Sequence, residues 1–333
     1  MLWSEATFLP RTARRKLGSL PASMHTFFSK KSLRLGAVFC SFLLLAPLSP
    51  AQQATSSRLR IVATTGMLGD ALRQIAGDRA QVTTLMGPGV DPHSYEPTPG
   101  AMRALRGADL IFYNGLHLEG AMHFAPLARR KAVYAASDAL APEDVMVDQH
   151  FATGKDPHIW GDVQLWMKVV RYLSACLQQH DPTHAAYYAQ RSQAYLKQLA
   201  QLDAHILAAL AQLPASQRIL VTAHDAFGYF GRRYGLQVHA LQGISTMMAP
   251  GLQDRLRLKD FIIKHGIKTV FTEATVSDKN MRAVMASCRA AGHAVLASAV
   301  LFSDSLGAEG TPGGTYIGMM RANTRHIQAG LTL

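Results

Sequence analysis

Short apolar segments alternate with longer amphipathic stretches from about residue 59 onwards. Segments rich in Val, Ile and Tyr predict four strands, at 59–64, 81–85, 109–113 and 132–135. Between them, the apolar spacing predicts one helix that ends near Ala76 and another that Thr98 caps. Strands that alternate with helices favour parallel βαβ units, in which ligands bind at the loops after the carboxyl ends of the strands.

The middle of the chain has a helical pattern. Residues 160–180 predict one helix, Asp181-Pro182 interrupts it, and residues 183–213 contain neither Pro nor Gly. We predict a second helix there of about 31 residues, roughly 45 Å long at about 1.5 Å per residue. A rod that connects two lobes fits this length better than a coiled coil, because no heptad pattern of charges accompanies it.

The alternation of strands and helices resumes after Pro214. Strands are predicted at 218–222, 237–241, 269–272 and 293–297, and helices at 252–264, 277–290 and 315–331. The predicted fold is therefore α/β, with two lobes that each contain a mainly parallel sheet flanked by helices, joined by one long rigid helix. We place the lobes at 52–181 and 214–333 and the connecting helix at 182–213.

Residues 1–51 have the pattern of a secretory signal peptide. A basic segment precedes an apolar run at 35–45, and small residues precede a cleavage position near Ala51. Met24 is an alternative start. Cys40 follows a large aromatic residue rather than a small one, so we predict no lipid anchor. We expect a periplasmic protein.

Removal of this segment halves the formal net charge of the chain. The chain has 333 residues and a formal net charge of +12, of which residues 1–51 supply +6 through seven Lys or Arg and one acid. The mature chain has no long basic run, which argues against nucleic-acid binding. Two cysteines remain, Cys176 and Cys288. An exported protein could pair them, but two free buried thiols fit their partly apolar helical segments better.

The sequence Asp-Pro-His occurs twice, ending at His93 and at His158. Proline stiffens each turn and disfavours a helical conformation for the preceding Asp. Either copy alone is ordinary turn chemistry with a surface histidine. Two copies, with further candidates downstream, favour two metal ligands that the fold brings together.

Two further candidates lie in the second half, His224 after a predicted strand and Asp304 in a polar loop. Each has a structural alternative, His224 as a buried polar residue and Asp304 as a turn or cap residue. Together with His93 and His158 they offer three imidazoles and one carboxylate, which suit one Zn²⁺ or Mn²⁺.

The sequence resembles the zinc- and manganese-binding receptors of bacterial ABC importers from about residue 59 to its end. The matching segments are Gly89-Val90-Asp91-Pro92-His93-Ser94-Tyr95-Glu96-Pro97-Thr98-Pro99, Asp156-Pro157-His158-Ile159-Trp160, Thr222-Ala223-His224-Asp225-Ala226-Phe227-Gly228-Tyr229-Phe230, Gly243-Ile244-Ser245-Thr246, Ser303-Asp304-Ser305-Leu306-Gly307 and Gly314-Thr315-Tyr316. The resemblance implies one metal in a cleft between the lobes, with His93 and His158 from the first lobe and His224 and Asp304 from the second. It also implies that Glu273 orients a histidine, and that the partner is a membrane permease with a cytoplasmic ATPase. We expect a monomer.

The metal itself is left open. The family has either His or Glu at the third ligand position, and His224 favours Zn²⁺. The long loop rich in His and acids that many zinc-dedicated members carry is absent between Tyr113 and His158, and Mn²⁺ and Fe²⁺ stay open. Met247 and Met248 replace the usual polar continuation, and we interpret both as packing residues rather than ligands.

Two other classes of function use the same residues. A zinc hydrolase keeps one coordination position open for water, whereas four protein ligands fill a tetrahedral shell. The sequence also contains no His-Glu-x-x-His and no Gly-x-Ser-x-Gly motif. A metal-binding surface adhesin is the other alternative, and localisation separates it from a receptor.

Overall fold

The computed structural model describes residues 58–147 and 154–333, which belong to one compact unit. The predicted signal peptide, its cleavage position and the absence of a lipid anchor concern residues outside these ranges. Within the described part of the chain, the helices are too short or too polar to cross a membrane.

The first lobe contains a parallel sheet of four strands. Its elements are β1 (Leu59–Ala63), α1 (Gly66–Ala76), β2 (Ala80–Thr84), α2 (Pro99–Gly107), β3 (Leu110–Tyr113), α3 (Ala125–Ala128), β4 (Ala132–Ala135) and α4 (Val163–His180). The strand order is β2-β1-β3-β4. Alternate residues of a strand face opposite sides of a sheet. Ile61 accordingly packs in the main core with Phe112, while Val62 packs with Leu105 on the other face.

Short polar side chains begin several of these helices. Thr65 Oγ1 accepts a hydrogen bond from the N–H of Leu68 in α1, and Asp162 accepts two from the start of α4. Thr98 caps α2 as predicted, with Pro99 at its first position. Each cap satisfies an N–H that the helix itself leaves unpaired. The caps therefore fix where the preceding loops end, including the loop that carries His93.

The long helix is present but shorter than predicted. After a 3₁₀ turn at Pro182–His184, α5 runs over Ala185–Ala211, which is 27 residues, or about 40 Å. Proline sets a turn that precedes the helix rather than starting it. The helix contacts α1 and α4 of the first lobe and also the helices at Gly228–Tyr234 and Tyr316–Leu331 of the second. It therefore packs against both lobes, as a connecting rod should.

The second lobe repeats the parallel arrangement. Its elements are β5 (Ile219–His224), α6 (Gly228–Tyr234), β6 (Gln237–Gln242), α7 (Leu252–Lys264), β7 (Thr269–Val270), α8 (Lys279–Ala290), β8 (Leu296–Ala297) and α9 (Tyr316–Leu331). Strand β5 pairs with β6, and β7 with β8. The N–H of Phe271 donates to the carbonyl of Val221 at 2.8 Å, which joins the two pairs, and Glu273 bridges to Leu301 beyond them. The predicted α/β fold with parallel sheets and a long helix is confirmed.

Some sequence predictions differ from the structure in detail. The strands predicted at 269–272 and 293–297 are only two residues long, and α6 was not predicted. The packing role expected of Met247 and Met248 is wrong, because they are 66% and 81% exposed. Cys176 and Cys288 are free and buried, as expected. The lobe boundaries at 181 and 214 stay a prediction.

Candidate metal centre

The structure brings all four predicted ligands to one point. His93 lies in the loop after β2, His158 directly before a 3₁₀ turn that leads into α4, and His224 at the end of β5. Asp304 lies in the loop between Leu301 and α9. All four are buried, with between 0% and 3% of each residue exposed. Two come from each lobe. His93 follows β2 and His224 ends β5, at the carboxyl ends of strands where the parallel topology predicts ligands to bind.

The spacing of the donor atoms suits a four-coordinate metal. The Nε2 atom of His158 lies 3.3 Å from that of His93 and 3.4 Å from that of His224. The carboxylate of Asp304 lies 3.4 Å from the nearest ring nitrogens of His158 and His224, and 3.7 Å from that of His93. Metal–nitrogen bonds of about 2.0–2.1 Å in a tetrahedron require donor separations of about 3.3–3.4 Å. The cluster is therefore suitable for one metal ion.

The carboxylate of Asp156 contacts the ring nitrogen of His158 that faces away from the cluster. The oxygen Oδ1 of Asp156 lies 2.8 Å from Nδ1 of His158 and also accepts a hydrogen bond from its backbone N–H at 2.9 Å. With the ring proton on Nδ1, the lone pair of Nε2 points at the cluster. The sequence indicates only a turn at Asp156. Its position two residues before a histidine indicated the turn. It did not indicate that the carboxylate also contacts the ring of that histidine.

Glu273 has the same relation to His224. Its two oxygens lie 2.7 Å from the backbone nitrogen and 2.6 Å from Nδ1 of His224. Glu273 is itself 4% exposed. The contact has the geometry that the resemblance implied for a glutamate that orients a histidine.

The histidines differ in their protonation. Burial, together with the two neighbouring imidazoles, lowers the pKa of His93 to about 3, and burial also lowers the pKa of His158 well below its usual value. Burial alone would lower the pKa of His224 too, but the carboxylates of Asp304 and Glu273 outweigh it and raise that pKa to about 10. Burial would raise the pKa of Glu273, but the charge and hydrogen bonds of His224 lower it. Without metal, His224 is therefore the proton-carrying imidazole of the cluster.

Asp304 is a carboxylate without hydrogen bonds. Both of its oxygens are buried and have no hydrogen-bond partner among the described residues. Burial raises its pKa to about 7, against the opposing charge of His224. A buried anion is costly unless a cation or hydrogen-bond donors compensate it. This donor is therefore suited to a bound cation.

The fold and this cluster define a class, the two-lobed α/β proteins that hold a metal between the lobes. A family model described as "Zinc-uptake complex component A periplasmic" matches residues 61–330, and the chain belongs to that family. The family consists of substrate-binding proteins of metal importers, which work with a membrane permease and an ATPase.

Characterised relatives match over most of their length. The chain is 36% identical over 305 residues to the manganese-binding lipoprotein MntA of Bacillus subtilis, covering 91% of this chain and 99% of the relative. It is 41% identical over 283 residues to the zinc-binding protein TroA of Treponema pallidum, covering 84% of this chain and 90% of the relative. The solved structure of that periplasmic TroA has a TM-score of 0.80 with 40% identity, and covers 82% of this chain and 99% of the other.

Proposed function

We propose that this protein is an extracytoplasmic receptor that binds one Zn²⁺ or Mn²⁺ and delivers it to an ABC-type import permease with a cytoplasmic ATPase. The observation that carries the proposal is the buried cluster of four donors, two from each lobe, in which five of the six donor pairs are 3.3–3.7 Å apart. The proposed ligands are His93, His158, His224 and Asp304, and Glu273 orients His224. Family membership supports the role in import.

Burial of the cluster favours a carrier over a hydrolase. A catalytic zinc site keeps one position open to water and substrate. Here four protein donors surround one point, and each donor residue is at most 3% exposed. An ion held in this way is sequestered rather than offered to a substrate. A turnover assay with ester, peptide and phosphate substrates should accordingly show no metal-dependent hydrolysis.

The donor set is compatible with both metals. Three imidazoles favour Zn²⁺ on donor type. Asp304 presents Oδ1 toward His158 and Oδ2 toward His224, so both of its oxygens face the cluster. Binding through both oxygens would give the higher coordination number that suits Mn²⁺. The metal content of protein purified from its native compartment, measured by elemental analysis, identifies the physiological cargo.

A thermal shift assay tests binding directly. A metal that binds only the folded state at about 1,000 times its dissociation constant stabilises that state by about 4 kcal/mol. Alanine at His93, His158 or His224 should abolish most of this shift. Because all three side chains are buried, circular dichroism of each metal-free variant must match that of the wild type for the loss to be assigned to the metal site. His205, exposed on α5, supplies the matched control, and His205→Ala should retain the full shift. A wild-type Tm that neither Zn²⁺ nor Mn²⁺ raises would contradict the proposal.

We further propose export to the periplasm, cleavage near Ala51, no lipid anchor and a monomeric state. The family description, which names a periplasmic component, supports export to the periplasm. The MntA relative is named a lipoprotein, so the absence of a lipid anchor here would be a difference from that relative. Mass spectrometry of the mature protein tests cleavage and lipid attachment together, because acylation would leave Cys40 as the first residue. Sedimentation tests the monomer, and localisation to the outer cell surface would favour an adhesin.

A further inference from the structure

The two Asp-Pro-His turns share one backbone arrangement. In each, the Asp carboxylate accepts a hydrogen bond from the N–H of the His two residues later, at 2.9 Å for both Asp91 and Asp156. Asp156 also contacts the ring of its own histidine, His158, at 2.8 Å. Asp91 uses its second oxygen differently. The two aspartates therefore make different side-chain contacts beside the same cluster.

The second oxygen of Asp91 reaches the other lobe. Thr246 Oγ1 donates to Asp91 Oδ2 at 2.6 Å, and Ser94 Oγ donates to the same oxygen at 3.0 Å from within the first lobe. Thr246 stands on a turn that Gln242 stabilises, since Gln242 Nε2 donates to the carbonyls of Thr246 and Met248, each at 2.9 Å. The bond from Thr246 thus ties the turn that carries His93 to an ordered segment of the second lobe.

A cavity of about 200 Å³ lies at this junction, and Asp91 and Thr246 both line it. Ala223, the neighbour of His224, and Thr275, two residues after Glu273, line it as well. The four proposed ligands are almost completely buried, so an ion needs a route past the surrounding loops. This cavity borders both the ligand-bearing turns and the partly exposed side chains of Asp91 and Thr246.

Trp160 makes two contacts with the second lobe that are buried more deeply. Trp160 Nε1 donates to the carbonyl of Ser303 at 2.8 Å, and Tyr316 Oη donates to the carbonyl of Trp160 at 2.7 Å. All three residues are at most 3% exposed. The bond between Asp91 and Thr246 lies at the rim, where both side chains are only half-buried. It can therefore open without disturbing the packed contacts between the lobes.

We propose that Asp91 is a positioning residue whose hydrogen bond to Thr246 latches the His93 turn across the cleft and controls the passage of metal through the cavity. The latch rests on the proposed function, because it acts on a bound metal. Opening of the bond leaves the N–H of Gly89, which donates to Oγ of Ser305 at 3.0 Å, as the described hydrogen bond between this loop and the second lobe, and so loosens His93 relative to the other three donors. Metal release is then limited by the latch rather than by rupture of all four metal–ligand bonds at once.

Stopped-flow release of Zn²⁺ into a chromogenic chelator tests the latch. Thr246→Val removes the hydroxyl and should accelerate release by about tenfold or more, because a hydrogen bond to a charged acceptor is lost. Thr246→Ser keeps a hydroxyl and should release at close to the wild-type rate. Ser94→Ala is the matched control, since it removes the donor to the same Asp91 oxygen from within one lobe, and it should stay within about twofold of wild type.

The absorption spectrum of the Co²⁺-loaded proteins separates a latch from a change in the ligands. The Thr246→Val protein should show the wild-type spectrum together with faster release. Equal release rates for Thr246→Val and Ser94→Ala would overturn the latch, and so would a changed Co²⁺ spectrum in Thr246→Val. If wild-type protein binds neither Zn²⁺ nor Mn²⁺, the proposed function itself fails before any variant is compared.

Discussion

Glu273 accepts two hydrogen bonds from His224, one from its backbone N–H at 2.7 Å and one from its ring Nδ1 at 2.6 Å. The bidentate contact fixes both the position of the residue at the end of β5 and the orientation of its imidazole. A proton held on Nδ1 leaves Nε2 to face the cluster. The contact therefore selects the tautomer that binding to a metal requires.

Replacement of Glu273 by Gln should weaken metal binding by about 10- to 100-fold. An amide nitrogen near Nδ1 donates a hydrogen bond instead of accepting one, which favours the tautomer with its proton on Nε2. That proton occupies the position of the metal. Isothermal titration in a competing chelator measures the loss. Asp254→Asn, on the exposed end of α7, is the control and should bind as wild type does. Equal affinities for the two variants would show that Glu273 does not orient the ligand.

Metal affinity should continue to rise with pH well above the range of an ordinary histidine. The raised pKa of His224, about 10, means that the metal-free protein holds this proton up to alkaline pH, and metal must displace it. One displaced proton corresponds to about a tenfold gain in affinity per pH unit. Below about pH 7 the raised pKa of Asp304 adds a second proton and a steeper dependence.

Competition titrations at pH 6, 7.5 and 8.5, corrected for hydrolysis and buffer binding of the metal, check this slope. His93 and His158 have lowered pKa values, so they compete with the metal only in more acidic solution. Three ordinary histidines, with pKa values near 6.5, would instead give a plateau above about pH 7.5. A flat affinity between pH 7.5 and 8.5 would mean that His224 is neutral in the metal-free protein.

Asp304→Asn should stabilise the metal-free protein while it abolishes tight metal binding. Burial raises the pKa of Asp304 from 3.8 to about 7, so above pH 3.8 ionisation penalises the folded state, increasingly up to about pH 7. Asn removes that penalty, which the raised pKa puts at about 4 kcal/mol. It also removes the carboxylate that stabilises protonated His224, so the expected net gain at pH 8 is of order 2 kcal/mol in the free energy of unfolding. Urea titrations of the metal-free proteins at pH 8 and pH 5 measure it. The gain should shrink at pH 5, and a loss of stability at pH 8 would contradict the prediction.

The four clustered residues were predictable because each stands in a short motif at a loop or a strand end. His224 follows a predicted strand, and the other three lie in predicted turns or loops. Proline before His93 and His158 marked rigid turns, and the parallel topology placed the His93 turn at the carboxyl end of a strand. The roles of Asp156 and of the bond between Asp91 and Thr246 were not predictable in this way. The two Asp-Pro-His motifs are identical, but Asp156 contacts the ring of His158 whereas Asp91 accepts a hydrogen bond from Thr246. The difference depends on which residues of the other lobe lie near each carboxylate.

The ends of elements were also hard to predict. The strands near Val270 and Ala297 pair over only two residues, although the apolar runs there are longer, because pairing depends on neighbours distant in sequence. Met247 and Met248 look like core residues by composition. They are exposed because the Gln242 side chain holds their turn at the surface through backbone carbonyls, which hydrophobicity does not report.

His224→Glu should shift selectivity from Zn²⁺ toward Mn²⁺. Imidazole favours the later metals, whereas a carboxylate is a harder donor that binds through two oxygens and raises the coordination number. The substitution also replaces one neutral donor by an anion, so the four ligands neutralise a divalent ion. Zn²⁺ stays the tighter ligand in absolute terms if the Irving–Williams order dominates. The prediction therefore concerns the ratio of the two dissociation constants, measured by competition at one pH.

The carboxylate of Glu273 lies next to the side chain at position 224 and affects the outcome of this substitution. Glu273 would face a second carboxylate where it now accepts a hydrogen bond from Nδ1 of His224, and the repulsion would weaken binding of both metals. Glu273→Gln in the same protein supplies an amide N–H for the new carboxylate, so the double variant isolates donor type from repulsion. His205→Glu adds the same charge on the exposed face of α5 and controls for net charge. If the ratio of dissociation constants in the double variant stays at the wild-type value or moves toward Zn²⁺, either His224 is not a ligand or the lobes rather than the donors determine selectivity.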